Sequence, residues 1–276
     1  VAAAAPVAAP VAAPAAAPLS DATLNDAAAV TKDAYTAAKN FDTTGGYTVN
    51  NHNAALKNSI EATKKLSPVD NCIFFHMIQE DPDINKPDSF SDNDFLSNWK
   101  ESKIVFTING KEETFKNAEQ LFMTFKAEHN KNSRIMNNII ALTRSTLNNY
   151  DIAREAKIRT GNKSDLNINP EWDEVAPIYM KIALLQKFIQ NDKLRKMLLA
   201  TDKKTLIEAS PTDPIWGANA SRNEIISNII NKNEQMYTGN NKLGVLLMHV
   251  RDLINNHNKL RTEFLTGNDE NLLTVS

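Results

Sequence analysis

Apolar side chains recur every three or four positions along most of this chain, a spacing typical of amphipathic helices. One long run covers residues 171–189, where Trp172, Val175 and Ile178 begin one continuous apolar face. The same period predicts further helices, at residues 19–41, 53–66, 117–130, 133–143, 149–159, 192–200, 223–232 and 242–256. The chain is therefore predicted to be mainly α-helical.

Four short stretches have the residue types of strands instead. Residues 103–108 and 111–115 flank Asn109-Gly110, a dipeptide typical of tight hairpin turns because both positions tolerate a positive φ. Residues 72–75 form a short apolar run, and residues 205–208 look extended. Together the elements predict a mainly α (α+β) fold class: a single helical domain with a small β-hairpin, preceded by an Ala/Pro-rich linker and a helical N-terminal extension.

The order of the elements predicts four regions. Residues 1–18 are almost wholly Val, Ala and Pro, typical of a semi-rigid linker, and residues 19–70 form the helical extension. Residues 71–265 form the main domain, and residues 266–276 are expected to be a flexible tail. The extension either docks the protein onto an assembly or packs on the main domain, and the pattern favours neither. Because the chain begins at Val1, it is expected to be a trimmed product.

Composition excludes several classes of function. The net charge is -2, so no global basic character points to nucleic acid or to an anionic membrane surface. No apolar run is long enough to span a bilayer, so no membrane partner is predicted. The single cysteine, Cys72, rules out an intramolecular disulfide and suits a reducing compartment. We therefore expect a cytoplasmic protein, in the host cytoplasm or the virion if the source is viral.

Known metal and cofactor motifs are absent from the sequence. The five histidines show no metal-ligand spacing, and neither a phosphate-binding loop nor a G-x-G-x-x-G or G-x-S-x-G motif occurs. No metal site and no cofactor are therefore predicted.

Two stretches carry candidate chemistry, and the first is the predicted helix at residues 117–130. Glu119 and Lys126 are seven positions apart, so they lie on nearly one helix face, about 10 Å apart along the axis. Phe122 lies between them on that face. An acid and a lysine across an aromatic patch suit a polar ligand with a flat ring, but two unrelated charges on a solvated helix face would have the same spacing.

The second stretch is the loop at residues 211–217, which two prolines break. Asp213 precedes Trp216 by three positions, so a carboxylate and a flat aromatic surface are held in one short segment. Glu208, just before this loop, could enter the same site. The alternative is a buried tryptophan with Asp213 serving as a turn cap. We expect this loop to face the Glu119 helix across one ligand pocket.

Several motifs, taken in order, make residues 73–254 resemble the NADAR family. The matching segments are Phe74-Phe75, Leu96-Ser97-Asn98-Trp99, Ile108-Asn109-Gly110, Asn117-Ala118-Glu119-Gln120, Lys126-Ala127, Lys187-Phe188-Ile189-Gln190-Asn191, Leu194-Arg195, Leu198-Leu199-Ala200-Thr201, Leu206-Ile207-Glu208-Ala209-Ser210, Asp213 with Trp216-Gly217, Asn241-Lys242-Leu243-Gly244, and Leu247-Met248 with Arg251. Their order and spacing are more specific than any one of them.

The resemblance implies an N-glycosidase that cleaves a bond at a ribose carbon. Its substrate would be an ADP-ribosyl or phosphoribosyl small molecule, or an ADP-ribosylated nucleic-acid base. The catalytic residues it implies are Glu119, Lys126 and Asp213, with their individual roles left open. The substrate-binding residues it implies are Trp216, Gly217, Phe122, Trp99, Asn98, Glu208 and Asn241. Long segments at residues 79–94 and 218–240 depart from the family pattern, so the choice of substrate is the least transferable part.

Two other functions compete with the enzyme. One is a structural or tethering protein, such as a virion component, docked to an assembly through residues 1–66. The other is ADP-ribose binding with little or no catalysis.

Overall fold

The computed structural model describes residues 19–41, 49–76, 91–161 and 166–256. The predicted linker at residues 1–18, most of the predicted segment at 79–94 and the predicted tail at 266–276 lie outside these ranges. In chain order, the described elements are α1 (Asp21–Lys39), α2 (Val49–Thr63), β1 (Cys72–Phe75), β2 (Ile104–Ile108), β3 (Lys111–Phe115), α3 (Ala118–His129), α4 (Ser133–Ala141), α5 (Asn149–Arg159), α6 (Trp172–Ile189), α7 (Asp192–Leu199), β4 (Thr205–Glu208), α8 (Arg222–Ile230) and α9 (Lys242–Asn255). Helices dominate, so the predicted mainly α (α+β) class is confirmed.

Helix α6 is the centre of the fold. Every residue from Val175 to Ile189 is buried, which is expected of a helix surrounded by others. Helices α1, α2, α3, α7 and α9 all pack against it. Phe188 on this helix is fully buried, and burying a side chain of that size stabilises the fold by about 1.5–3 kcal/mol.

The two N-terminal helices pack on the main body of the protein. A seam of fully buried alanines, including Ala27, Ala34 and Ala38, lets α1 approach α6 closely. At the end of α1, the Tyr35 hydroxyl donates to the Glu128 carboxylate of α3 at 2.5 Å. Helix α2 packs against α6 and α9. The apolar faces of this extension are therefore used within the chain.

The strands form two separate pairs. Strands β2 and β3 make the predicted antiparallel hairpin, with positive φ angles at Asn109 (51°) and Gly110 (77°) in its turn. Strands β1 and β4 pair in parallel, with Phe75 opposite Glu208. Because both strands of the parallel pair run the same way, their carboxyl ends meet at one edge. That edge positions the site described below.

A group of basic side chains lies buried between α2, α6 and α9. His52, Lys181 and His249 are 2%, 2% and 3% exposed. Burial lowers the pKa of both imidazoles well below the ordinary value, and the charge of Lys181 lowers each further. The two histidines are therefore neutral in the folded protein at neutral pH.

This neutrality predicts acid sensitivity. The unfolded chain takes up protons on histidine below about pH 6.5, whereas the native state holds these two imidazoles uncharged, so stability should fall as the pH drops below that value. In the His52→Gln variant, the free energy of unfolding should depend less steeply on pH. The slope should be smaller by one histidine's contribution, up to about 1.4 kcal/mol per pH unit. Urea unfolding of both proteins at pH 7.5, 6.5 and 5.5 measures the difference. Identical slopes would contradict a neutral His52.

No helix in the described ranges is both long enough and apolar enough to span a bilayer.

Candidate active site

A cleft of about 710 Å³ opens where α3, α5, α6 and the ends of the parallel strands meet. It is lined by His76, Ser97, Asn98, Trp99, Glu119, Phe122, Met123, Lys126, Lys157, Ile158, Thr160, Gly161, Trp172, Met180, Glu208, Ser210, Thr212, Asp213, Trp216 and Leu243. A space of this size fits a nucleotide-like ligand, and its lining combines aromatic walls with a few polar groups, as small-molecule sites do.

Glu119 lies in the first turn of α3. Asn117 caps that helix, its side-chain oxygen accepting from the Gln120 amide at 2.8 Å. Glu119 is 5% exposed, and Asn98 Nδ2 donates to its Oε2 at 3.4 Å. Burial raises the pKa of Glu119, while Lys157, the Asn98 hydrogen bond and Lys126 oppose the rise. The structure thus holds a largely dehydrated carboxyl at the cleft.

Lys126 lines the same cleft two turns further along α3. Its Nζ lies 5.9 Å from the centre of the Trp172 ring, which favours the charged amine. Burial nevertheless lowers the pKa of Lys126, against the attraction of Asp173 and Glu119. A lysine with a lowered pKa can serve either as a cation or as a nucleophile.

The loop after β4 forms the opposite wall. Asp213 Oδ1 accepts hydrogen bonds from the amides of Ile215 (2.9 Å) and Trp216 (2.8 Å). Asp213 therefore does cap its own turn, and it also lines the cleft. The Trp216 ring meets Phe122 of α3 edge to face, with centroids 5.4 Å apart. The two stretches singled out in the sequence are in direct contact.

Two of the predicted binding residues lie behind this wall instead of lining the cleft. A Cβ at Gly217 would be 2.8 Å from Ser210 Cβ and 3.0 Å from the Asp213 carbonyl oxygen, so the close-packed turn requires glycine. Asn241 is fully buried. Its Oδ1 accepts from the Glu208 amide and its Nδ2 donates to the Leu206 carbonyl, both at 2.9 Å. Gly217 therefore supports the site by allowing the turn to pack closely, and Asn241 supports it by holding the backbone of β4.

The carboxyl ends of β1 and β4 deliver two titratable side chains to the cleft. Glu208 ends β4, and His76 directly follows β1. Burial, with Asp213 second, raises the pKa of Glu208 to about 8. Burial also lowers the pKa of His76, against the attraction of Asp213. Ligand sites beyond the carboxyl ends of parallel strands are common in mixed folds.

A buried lysine holds the segment that carries Asn98 and Trp99. Lys187 of α6 is fully buried and donates to the carbonyls of Phe95 (2.6 Å) and Ser97 (2.8 Å). Burial lowers the pKa of Lys187 to about 7, even though Asp94 raises it. The bend that these bonds fix places Asn98 against Glu119.

The structure thus brings eight of the ten predicted site residues to one cleft: Asn98, Trp99, Glu119, Phe122, Lys126, Glu208, Asp213 and Trp216. Sequence reasoning missed others that line it, above all His76, Lys157 and Trp172. His76 could have been found only if the pairing of β1 with β4 were known. Lys157 and Trp172 belong to helices whose faces look ordinary in the sequence.

Within the described ranges, no three His, Cys, Asp or Glu side chains are grouped so that they could hold a metal ion.

Comparison with known families identifies a domain that includes most of this cleft. Residues 85–255, more than half of the chain, match the family model described as the NADAR domain. The chain belongs to the NADAR family. This confirms the resemblance based on the motifs. The matched NADAR segment contains both α3, with Glu119, and the loop with Asp213.

Curated relatives share a shorter segment with the chain. The chain is 34% identical over 103 residues to N-glycosidase R617 of Acanthamoeba polyphaga mimivirus, and this match covers 37% of the chain and 58% of the relative. It is 34% identical over 96 residues to N-glycosidase Npun_R5314 of Nostoc punctiforme, covering 35% and 52%. It is 31% identical over 94 residues to N-glycosidase YbiA of Escherichia coli, covering 34% and 49%. The chain therefore spans about half the length of the curated relatives it matches.

Among solved structures, the NMR structure of E. coli YbiA aligns with 71% of this chain and 92% of YbiA, at 21% sequence identity and a TM-score of 0.42.

Proposed function

We propose that this protein hydrolyses an N-glycosidic bond at a ribose carbon of an ADP-ribosyl or phosphoribosyl substrate. The observation that carries the proposal is the opposition of two walls across one cleft: Glu119 and Lys126 on α3, and Asp213 and Trp216 on the facing loop. Membership of the NADAR family and similarity to proteins named N-glycosidase support it.

The chemistry of the reaction matches these groups. Cleavage of a ribosyl bond passes through a state in which the sugar carbon becomes cationic, as in glycoside hydrolysis. A carboxylate beside the sugar stabilises that charge more strongly in a dehydrated site than in water. Among the carboxyl groups of the lining, we assign Glu119 and Asp213 to this role and to taking a proton from the attacking water.

The aromatic walls suit the leaving base. Trp216, supported edge-on by Phe122, offers a face on which a planar ring can stack. Trp99 and Trp172 add further aromatic surface to the lining. The exposed Lys157 at the same cleft would attract a phosphate group of the substrate. The proposed substrate therefore combines a flat base, a ribose and a phosphate.

In the hydrolytic route, the bond from the sugar C1′ to the base nitrogen breaks, and its electron pair goes to the base. Water adds through its oxygen to C1′ and passes a proton to a carboxylate. Lys126 offers a second route, in which its neutral amine bonds to C1′ as the base leaves with the electron pair of the C1′–N bond. The amine then loses a proton, and opening of the C1′–O4′ bond gives a Schiff base. Water hydrolyses that Schiff base, which releases the sugar and returns the free amine. Borohydride added during turnover would reduce the Schiff base and leave a stable adduct on Lys126, detectable by mass spectrometry.

The experiment that tests the function offers the purified full chain three probes: an oligonucleotide with ADP-ribosylated guanine, NAD, and a phosphoribosyl riboflavin precursor. We expect release of the free base from at least one of them, and release about 1,000-fold slower with the Glu119→Gln variant. If none of the three probes released a free base, the proposal would be overturned. Calorimetric binding of ADP-ribose without turnover would instead support a binding protein.

The cellular setting belongs to the proposal as well. A lone, buried Cys72 suits a reducing compartment, so we place the reaction in the cytoplasm, including host cytoplasm or the virion if the source is viral. The apolar faces of α1 and α2 pack against the main body of the protein. If residues 1–66 dock the protein to a larger assembly, they would therefore have to use other surfaces.

A further inference from the structure

Three buried polar atoms lack a hydrogen-bond partner in the described part of the chain and belong to residues that line the cleft. They are His76 Nδ1, Asn98 Oδ1 and Glu208 Oε2. An unpaired buried polar atom is costly and rare in folded proteins, so a cluster of three in one cleft indicates groups that a ligand satisfies.

Glu208 is the most firmly supported of the three. Its amide donates to Asn241 Oδ1, and its carbonyl accepts from the amides of Ser210 (2.8 Å) and Ala218 (2.9 Å). On its other side, strand β1 pairs with it at Phe75. The backbone is thus held from three directions, and the carboxyl group extends from the strand end into the cleft lining.

We propose that Glu208 is the acid that protonates the leaving base, so that the site takes neutral N-ribosyl bases in preference to pyridinium ribosides. This inference rests on the proposed glycosidase function and names the class of leaving group for it.

The charges around the two buried glutamates assign them different roles. The pKa of Glu208 is raised by burial and by the negative charges of Asp213 and Glu119. Only the positive charge of Lys157 opposes this rise. Burial also raises the pKa of Glu119, and Asp213 adds to that rise, but three groups oppose it: Lys157, the Asn98 hydrogen bond and Lys126. With its pKa near 8, Glu208 carries a proton at neutral pH. When the surroundings of two carboxyl groups push their pKa values apart, one group typically acts as the acid and the other as a charge-stabilising carboxylate.

The proton balance of the step follows. As the C1′–N bond breaks, its electron pair moves to the base nitrogen, and the Glu208 hydroxyl proton passes to the base. Water bonds to C1′ and gives its own proton to Glu119, and solvent exchange through the open cleft returns both groups to their starting forms. A pyridinium nitrogen becomes neutral when it receives the electron pair, so its departure needs no proton.

The activity test uses the full chain and its Glu208→Gln variant, which keeps the size and hydrogen-bonding capacity but has no acidic proton. On ADP-ribosylated guanine in an oligonucleotide, kcat should fall by about 100-fold to 1,000-fold. On 4-nitrophenyl ribofuranoside 5′-phosphate, whose nitrophenolate leaves without a proton, the fall should be less than about 5-fold. Equal losses on both substrates would overturn the assignment.

A second measurement does not depend on turnover. In protein labelled with ¹³C at glutamate carboxyls, one signal should titrate near pH 8, vanish in Glu208→Gln and persist in Glu113→Gln. Glu113 is a matched control because it is also buried (8% exposed) but pairs with Lys111 and Arg144 outside the cleft. Absence of that signal from the wild type overturns the proposal even if hydrolysis occurs. Its presence in a protein that cleaves no substrate would mean that the glycosidase function has failed, and the acid role with it.

Discussion

The Glu119→Gln variant is expected to lose about 1,000-fold in kcat on any substrate that the wild type cleaves, with little change in KM. The substitution keeps the shape and the hydrogen bond from Asn98, whose Nδ2 lies 3.4 Å from Glu119 Oε2. It removes the negative charge that would face the cationic sugar carbon. Because that charge matters most in the transition state, kcat should fall far more than ground-state binding.

Steady-state kinetics of the purified variant, with circular dichroism to verify folding, measures this effect. The matched control is Glu128→Gln on the same helix. Glu128 is also a poorly exposed glutamate, but it bonds Tyr35 and Lys39 of α1 and does not line the cleft. A variant at Glu119 that kept more than a tenth of wild-type kcat would contradict a charge-stabilising role.

The second large effect concerns stability. We expect Gly244→Ala to destabilise the protein by about 3 kcal/mol or more. A Cβ at Gly244 would lie 2.1 Å from the Leu206 carbonyl oxygen and 2.5 Å from Asn241 Oδ1. Both neighbours belong to the junction of α9 with β4, where Asn241 bonds the strand backbone, so neither can move without breaking those bonds.

Urea unfolding of wild type and variant gives the change in free energy. Gly110→Ala is the control, because a Cβ there meets nothing within 4 Å and only the positive φ of 77° is strained, which costs about 1 kcal/mol. If Gly244→Ala lowered the free energy of unfolding no more than Gly110→Ala does, the close approach of α9 to β4 would not be a determinant of stability.

The local elements could be predicted because their causes are local. The hairpin turn requires positive φ at Asn109 and Gly110, which their residue types favour. Helix α6 was predicted within one residue of its observed start, since its apolar period persists for five turns. Strands β1 and β4 were each expected as extended segments. Their parallel pairing was not, because residues 72–75 and 205–208 are far apart in the sequence and nothing local encodes the partner.

The candidate site shows the same division. Motif order grouped Glu119 with Asp213 and Trp216, and the structure brings them to one cleft. Motifs could not distinguish a side chain that lines a cleft from one that supports its wall. Asn241 and Gly217 therefore looked like binding residues, although hydrogen bonding and close packing place them behind the wall.

The sequence by itself determined the helical class, the hairpin, the family and the two stretches that carry the acid, the lysine and the tryptophan, because each depends on neighbours within a few residues or on motifs in order. Only the tertiary structure decided that β1 and β4 end together, with His76 and Glu208 at the cleft. It also decided that Glu208 and Glu119 have different surroundings. The physical reason is that dehydration and charge at a side chain depend on which distant segments pack around it.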